Sequence, residues 1–336
     1  MRNASESMAA IHDSKSVFSS ARRTVCAAIL LFGACFFPGC KRHADPAPAP
    51  QLPALEFADA WGTRGTSPGQ LELPVGIATD GFGNVYIADA ATHSINKFTP
   101  KGGPLLSFAS AALKNPGGIA VDRGGGIYAS VESRVLVYWP EGDFLRATHG
   151  GRGVAFREAA GIAVGDEGDF YVVDRVTCRV ESFNWRGRFK NAWGKCGAEN
   201  GEFMAPSGAA VGRDGSVFVA DAGGARVQQF SPDGVFVAAF GEVRSTTGFG
   251  RGTRSQSTVA AVAVSARNIF AAGDGASPLR AWSLDGKEIS LDPAPLQAAH
   301  LTPDFHAAAL AYDFHSGDLL LLDAKACRVL RIHIHL

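Results

Sequence analysis

The chain has 336 residues, of which 46% are apolar and 19% charged, and it contains 40 glycines. This composition excludes an intrinsically disordered protein and predicts a globular domain that is rich in tight turns. Basic and acidic residues balance at 32 each, and residues 40–336 alone carry 28 basic and 30 acidic residues, so the composition provides no general electrostatic attraction for nucleic acid.

An apolar run near the N-terminus predicts a targeting segment. Arg22 and Arg23 precede the 14 residues 24–37 (TVCAAILLFGACFF), which are too few for a membrane-spanning helix. The run is followed by PGC and resembles a bacterial lipoprotein signal, in which a small residue precedes the cysteine that becomes lipidated. The resemblance implies a signal peptide over residues 1–39 and a lipid on Cys40. Lipidation at Cys35 and cleavage without lipidation are the alternatives.

The residues after Cys40 predict a tether. Residues 40–54 alternate Ala and Pro over much of their length, which favours an extended, semi-rigid spacer. The folded domain is therefore predicted to occupy residues 55–336.

Beyond residue 70 the sequence repeats six times, at intervals of 42 to 53 residues. The units start with GIATDGFGNVYIAD at Gly76, GIAVDRGGGIYAS at Gly118, GIAVGDEGDFYVVD at Gly161, GAAVGRDGSVFVAD at Gly208, AVAVSARNIFAAGD at Ala261 and ALAYDFHSGDLLLLD at Ala309. Each unit continues with a third β-rich run such as RVESF, a turn such as NWRG and a fourth run such as RFKNAWG. Four short strands per repeat, with no amphipathic helix, predict an all-β propeller with one blade per unit.

The segment LEFADAWG, residues 55–62, lies before the first unit and matches the fourth strand of a blade. AWGTRGTSPGQLELPVGIA aligns with AWGKCGAENGEFMAPSGAA of the third and fourth units without a gap. The sixth unit stops at its third strand, RVLRIHIHL. We therefore expect the N-terminal strand to complete the sixth blade and close the ring, which leaves no open sheet edge there.

The first unit resembles an NHL repeat over residues 62–102, through the pattern GQLELPVGIATDGFGNVYIADAATHSINKFTPKG. The third and fourth units match it well, whereas the fifth and sixth are degenerate and the second lacks the aspartate after IYAS. The resemblance implies a six-bladed propeller that is mostly a rigid binding platform. A minority of related propellers are metal-dependent lyases or lactonase-like hydrolases, so the fold alone does not fix the function.

Candidate metal ligands are sparse in the sequence. The innermost strands are small and apolar, which is typical of packing. His333 and His335 lie two residues apart and share one face of the last strand, so a two-histidine metal site is one interpretation, and a polar outward face at the rim is the other.

Five arginines occupy similar positions at the start of the third strands. They are Arg134, Arg179, Arg226, Arg280 and Arg328. As a set they could form a ligand face for anions. The recurrent aspartate five residues before three of them, as in Asp221 and Arg226, favours instead an ion pair within each blade that ties the second strand to the third.

Three cysteines remain in residues 55–336. Cys178 and Cys196 lie at the two ends of one hairpin, nearly opposite each other, and an exported protein meets oxidising conditions, so we expect them to form a disulfide. Cys327 has no evident partner and is interpreted as a buried, small apolar residue.

These observations predict a lipid-anchored, six-bladed propeller at the bacterial cell envelope, facing the periplasm or the outer membrane. Its predicted function is a non-enzymatic binding or scaffold module for a protein or peptide, without a cofactor and with no membrane contact beyond the anchor. The alternative is a metal-dependent hydrolase or lyase with a site at the propeller axis. Nucleic-acid binding is disfavoured by the signal segment and the near-neutral charge.

Overall fold

Short apolar runs separated by Gly- and Asp-rich turns fold into six four-stranded antiparallel sheets in the computed structural model, which describes residues 54–241, 259–273, 279–291 and 307–335. The sheets are the blades of a propeller, in the order that the repeats predict. The predicted signal peptide (1–39), Cys40 and the tether up to residue 53 lie outside the described residues. Within the described ranges no helix is long and apolar enough to cross a membrane.

The blades are numbered in the order of the repeats, and each is given from its innermost to its outermost strand. Blade 1 contains β2 (Pro74–Thr79), β3 (Val85–Asp89), β4 (Ser94–Phe98) and β5 (Pro104–Ala109). Blade 2 contains β6 (Pro116–Val121), β7 (Ile127–Val131), β8 (Arg134–Tyr138) and β9 (Phe144–His149). Blade 3 contains β10 (Ala159–Val164), β11 (Phe170–Asp174), β12 (Arg179–Phe183) and β13 (Phe189–Trp193).

The second half of the ring follows the same plan. Blade 4 contains β14 (Pro206–Val211), β15 (Val217–Asp221), β16 (Arg226–Phe230) and β17 (Phe236–Phe240). Blade 5 contains β18 (Ala261–Val264), β19 (Asn268–Ala272), β20 (Leu279–Ser283) and the two-residue β21 (Glu288–Ile289). Blade 6 contains β22 (Ala307–Asp313), β23 (Asp318–Asp323), β24 (Arg328–His335) and β1 (Ala54–Trp61).

The N-terminal strand closes the ring, as the sequence predicts. β1 pairs antiparallel with β24, from Ala54 opposite His335 to Trp61 opposite Val329. Leu55 is 3% exposed and belongs to the apolar cluster between blades 5 and 6. Trp61 packs on Phe98 of blade 1, with ring centroids 4.9 Å apart. β1 therefore completes one blade and also contacts the next.

The core is divided into six apolar clusters, each lying between two neighbouring blades. A second contact between neighbouring blades recurs around the ring. In it, the outermost strand of one blade packs on the outer turn of the next blade. Gly102 in such a turn has φ +79°, and a Cβ there would lie 2.3 Å from the ring of Trp61. Gly142 and Gly234 meet Phe108 and Trp193 in the same way. These turns accept glycine because an aromatic side chain from the preceding blade occupies the space of a Cβ.

The propeller has two faces, and each face carries two kinds of loop. The turn face carries the inner turns, which join the first strand of each blade to the second, and the outer turns, which join the third to the fourth. The connection face carries the middle turns, between the second and third strands, and the connections from one blade to the next. β1 begins on the turn face, because Ala54 pairs with His335 at the far end of β24.

Cys178 and Cys196 form a disulfide in the structure, across 18 residues of sequence. It joins the middle turn of blade 3 to the connection between blades 3 and 4. Cys327 occupies the equivalent middle-turn position in blade 6, with φ 54° against 53° for Cys178. Arg64 occupies the position at which a disulfide partner of Cys327 would be expected. Arg64 forms an isolated β-bridge with Leu71, just as Cys196 does with Phe203. Cys327 is accordingly a free, buried thiol, and burial raises its pKa.

Candidate functional site

A funnel-shaped cavity follows the propeller axis and opens on the turn face. At the connection face the innermost strands approach closely, and a Cβ on Gly161 would lie 2.7 Å from the Ser207 carbonyl oxygen. The space along the axis there is only about 70 Å³. Toward the turn face the strands carry larger residues and end in the inner turns, and the cavity widens to about 630 Å³. The small residues at the start of each repeat therefore allow the innermost strands to approach closely and make the space along the axis narrower at the connection face than at the turn face.

The inner wall of this axial cavity is formed by apolar side chains that are at most 7% exposed, and polar groups contribute at least as much of the cavity surface. These apolar side chains are those of Ile77, Ile119, Ile162, Val262 and Leu310, one each from five of the innermost strands. The sequence predicts that these strands only pack together, and in the structure their side chains also line the cavity. A volume of about 630 Å³ lies in the range of small-molecule pockets, roughly 300–1,000 Å³.

The rim of the axial cavity is built from one position of the repeat, the second residue of each inner turn. This position holds Arg123 in blade 2, Asp166 in blade 3, Arg213 in blade 4 and Phe314 in blade 6. Arg123 and Asp166 form an ion pair of 2.9 Å between neighbouring blades. The guanidinium of Arg213 lies over the ring of Phe314 at 5.0 Å. Blade 5 lies between these two residues and has the small Ala266 at the same position.

Two carboxylates near the rim are bound within their own turns. Asp80 accepts hydrogen bonds from the backbone amides of Phe82 and Asn84 and from the hydroxyl of Tyr86. Asp122 accepts equivalent bonds in blade 2, including one from the Tyr128 hydroxyl. Burial raises the pKa of both tyrosines, so both remain neutral donors.

Tyr312 and Phe82 give the rim an aromatic side. Tyr312 lines the cavity and contacts Phe314 edge to face, with centroids 4.9 Å apart. Burial raises the pKa of the Tyr312 hydroxyl. Phe82 is exposed on the inner turn of blade 1. The sequence did not point to Arg213, Phe314, Tyr312 and Phe82 as site residues. A signal for the first two was present, because the second residue of each inner turn differs from one repeat to the next in the alignment.

The five predicted arginines lie on the opposite side of the blades, where the third strands begin after the middle turns. Arg226 and Arg328 pair with Asp221 and Asp323, each at 3.1 Å, which is the pattern expected from the five-residue spacing. Arg226 is completely buried, so it is not available to a ligand.

The other three arginines do not follow that pattern. Arg179 pairs with Glu181 instead of Asp174. Arg280 pairs with Glu288 at 2.8 Å. Arg134 is half-buried, and Val131 lies opposite it where blades 1, 3, 4 and 6 have aspartate. None of the five arginines lines the axial cavity.

The histidine pair lies on the outer part of blade 6. His333 Nδ1 is 2.5 Å from Asp318 Oδ1, and His335 Nε2 is 3.0 Å from Glu56 Oε2. Their rings are 6.5 Å apart, and each has its own carboxylate partner. Among the described residues, no group of three or more His, Cys, Asp or Glu side chains is placed to hold a metal ion.

A further surface on the turn face carries at least one exposed, large apolar side chain in each blade, and Leu105 and Phe144 are exposed there as well, at or near the starts of β5 and β9. Phe82 and Phe314 belong to inner turns, and Trp139, Trp185, Val235 and Leu284 lie in or directly beside the outer turns of blades 2 to 5. Their exposed fractions range from 40% to 71%. We call these six residues the apolar set. The connection face exposes Leu73, Val154, Val176 and Met204, none of which is aromatic.

Comparison with known proteins identifies the fold of this chain and does not identify a family or an activity. No family model matches the chain, and no curated protein matches its sequence. Similar solved structures include a catalytically inactive virginiamycin B lyase from Staphylococcus aureus with quinupristin (TM-score 0.55, 14% identity, 77% of this chain and 80% of that one). They also include a streptogramin B lyase (TM-score 0.52, 11% identity, 84% of this chain and 98% of that one). A third is U3-55K (TM-score 0.54, 14% identity, 79% of this chain and 78% of that one). At such identities the likeness shows the propeller fold alone.

Proposed function

We propose that this protein is a non-enzymatic binding module of the bacterial cell envelope, held by a lipid on Cys40, which binds a protein or peptide partner on its turn face. The apolar set carries this proposal. Exposed apolar groups are usually scattered on a monomeric protein, and several on one face are typical of an interaction surface. Two of the six are tryptophans and two are phenylalanines, the residue types enriched at protein interfaces.

The two tryptophans provide the best anchors for a partner. Trp139 and Trp185 lie on the outer turns of neighbouring blades, and Arg146 of the strand after Trp139 donates a hydrogen bond to the Trp185 carbonyl. Arg186 stacks on the Trp185 ring at 4.5 Å. A rigid, supported aromatic side chain loses little conformational entropy when it is covered, which favours its use as a hot spot.

Replacing both tryptophans is expected to remove the partner and leave the fold intact. We would compare the double variant Trp139→Ser/Trp185→Ser with the unchanged protein in affinity capture from envelope extracts, after checking that the unfolding midpoints agree. Leu73→Ser/Met204→Ser is the matched control, because its residues are similarly exposed on the connection face. A partner retained by the tryptophan variant, or lost from the control, would contradict the assignment of the turn face.

The anchor is tested separately from the binding face. Cys40→Ser is expected to move the protein from the membrane fraction to the soluble fraction, because no acyl chain is then attached. Fractionation and immunoblotting measure the change, with Cys35→Ser as the matched control. If Cys35→Ser releases the protein and Cys40→Ser does not, the lipid is on the other cysteine.

A metal-dependent lyase or hydrolase at the axis is the second candidate, and the axial cavity is the observation that favours it. We expect the purified mature protein to contain well below one tightly bound zinc or calcium ion per chain when metal is measured by mass spectrometry. A stoichiometric ion that survives dialysis against a chelator would favour the enzyme over the binding module.

A further inference from the structure

We propose that the axial cavity is a binding site for a compact amphipathic organic anion, whose apolar body lies against the cavity wall and whose carboxylate or phosphate group binds Arg213. This inference goes beyond the proposed function and does not depend on it. Phe82 and Phe314 of the apolar set also lie at the mouth of the axial cavity, but Trp139 and Trp185, which anchor the proposed macromolecular partner, do not line this concave site of small-molecule size.

The cavity wall supplies the apolar part of the site. Ile119, Ile162 and Leu310 face the same space from three different blades. A ligand that fills this space covers only the 5–7% of each side chain that is still exposed, and it does so without any movement of the blades, because the innermost strands are fixed by the close contacts at the connection face.

Arg213 supplies the charge, and its situation differs from that of Arg123. Both line the mouth, but Arg123 is neutralised by Asp166. The structure gives Arg213 a stacking contact with Phe314 and no carboxylate within 4 Å among the described residues. Stacking orients the plane of a guanidinium while its N–H groups remain free to donate, and a guanidinium can bind a carboxylate or phosphate through two parallel hydrogen bonds.

Asp80, Asp122 and Asp166 also line the cavity, but the groups beside Arg213 are compatible with an anion on this side of the mouth. Tyr312 lines the cavity beside Phe314 and offers a neutral hydroxyl that can donate to the same head group. The nearby carboxylate of Asp313 is buried and accepts from the His315 amide and the Ser316 hydroxyl. The mouth therefore combines a cation and a neutral donor on one side with apolar walls below them.

Two probes of nearly the same skeleton test this site. 8-Anilinonaphthalene-1-sulfonate has an apolar body and one negative charge, and N-phenyl-1-naphthylamine has the same body without the charge. We expect the sulfonate to bind with one saturable site per chain, measured by fluorescence titration, and to bind more tightly than the neutral probe. Arg213→Met should weaken the sulfonate by at least about tenfold, since a charge-assisted contact is lost, and should leave the neutral probe unchanged.

Two further variants make the result decisive. Arg186→Met is the matched control, because Arg186 also stacks on an aromatic ring of the turn face but does not line the cavity. Ala210 lines the cavity on an innermost strand, so Ala210→Phe should block both probes by occupying the space. Absence of saturable sulfonate binding, equal affinity in Arg213→Met, or an equal loss in Arg186→Met would overturn the proposal. None of these variants changes Trp139 or Trp185, so failure here is distinct from failure of the partner site.

Discussion

A chain that begins at Thr63 is expected to be insoluble or to unfold at a much lower temperature than a chain that begins at Gln51. The shorter chain lacks β1, so β24 becomes an open edge and Leu55 and Trp61 no longer cover their clusters. Burial of a large apolar side chain contributes roughly 1.5–3 kcal/mol, and a whole domain is stable by only about 5–15 kcal/mol. Loss of the strand's hydrogen bonds adds to the effect.

Thermal unfolding of the two chains measures this difference. A synthetic peptide of residues 51–62, added to the shorter chain, should restore part of the lost stability, because it offers the same pairing to β24. Midpoints that agree within about 2 °C would contradict the closure of the ring, since even 1 kcal/mol commonly shifts a midpoint by a few degrees.

Arg226→Met is expected to destabilise the protein by about 3–5 kcal/mol, the usual cost of leaving one charge of a buried pair without its partner. The Arg226 side chain is 1% exposed, and it donates to Asp221 and to the carbonyls of Glu199 and Glu202. The variant removes all three bonds and leaves the Asp221 carboxylate buried between backbone amides only.

The equivalent pair in blade 6 provides the matched control. Arg328 pairs with Asp323 at the same distance, but its side chain is 24% exposed. Arg328→Met should therefore cost less than Arg226→Met, because water reaches the Arg328 side chain, although the aspartate is buried in both pairs. Denaturant unfolding of both variants gives the comparison. Equal losses would mean that burial does not set the strength of these repeated ion pairs.

The repeats were sufficient to predict the architecture, because blade closure depends on which strand types are present and not on details of side chains. The gap-free alignment of residues 60–78 with 192–210 identified β1 as a fourth strand. The structure confirms this down to the isolated bridges at Arg64 and Cys196, which occupy equivalent positions.

The partners of the arginines were less predictable, because they depend on how each aspartate is already used. Asp174 accepts from four backbone amides, two of them in its own middle turn, and Arg179 pairs with Glu181, which is two residues along and therefore on the same face of the strand. In blade 4 the carboxylate of Asp221 does not cap its middle turn, and the amides of Met204 and Ala205 both donate to Oδ1, which leaves Oδ2 for Arg226.

The rim of the axial cavity was not predicted for a different reason. The second position of the inner turn is occupied by Gly81, Arg123, Asp166, Arg213, Ala266 and Phe314. Repeats are recognised from the residues that their units have in common, and the residue at this position varies between units. Only the propeller geometry brings these residues around one opening.

Closure by β1 also constrains the order of events when the protein is made. The bond between Glu56 and His335 joins residues 279 positions apart, so blade 6 cannot be completed until its last strand has been synthesised. Until then the first strand has no partner, and loop closure over such a distance is slow compared with the formation of the local hairpins in blades 1 to 4. The finished propeller therefore exists only after the last strand has been made and has met the first, whatever the earlier blades have already formed.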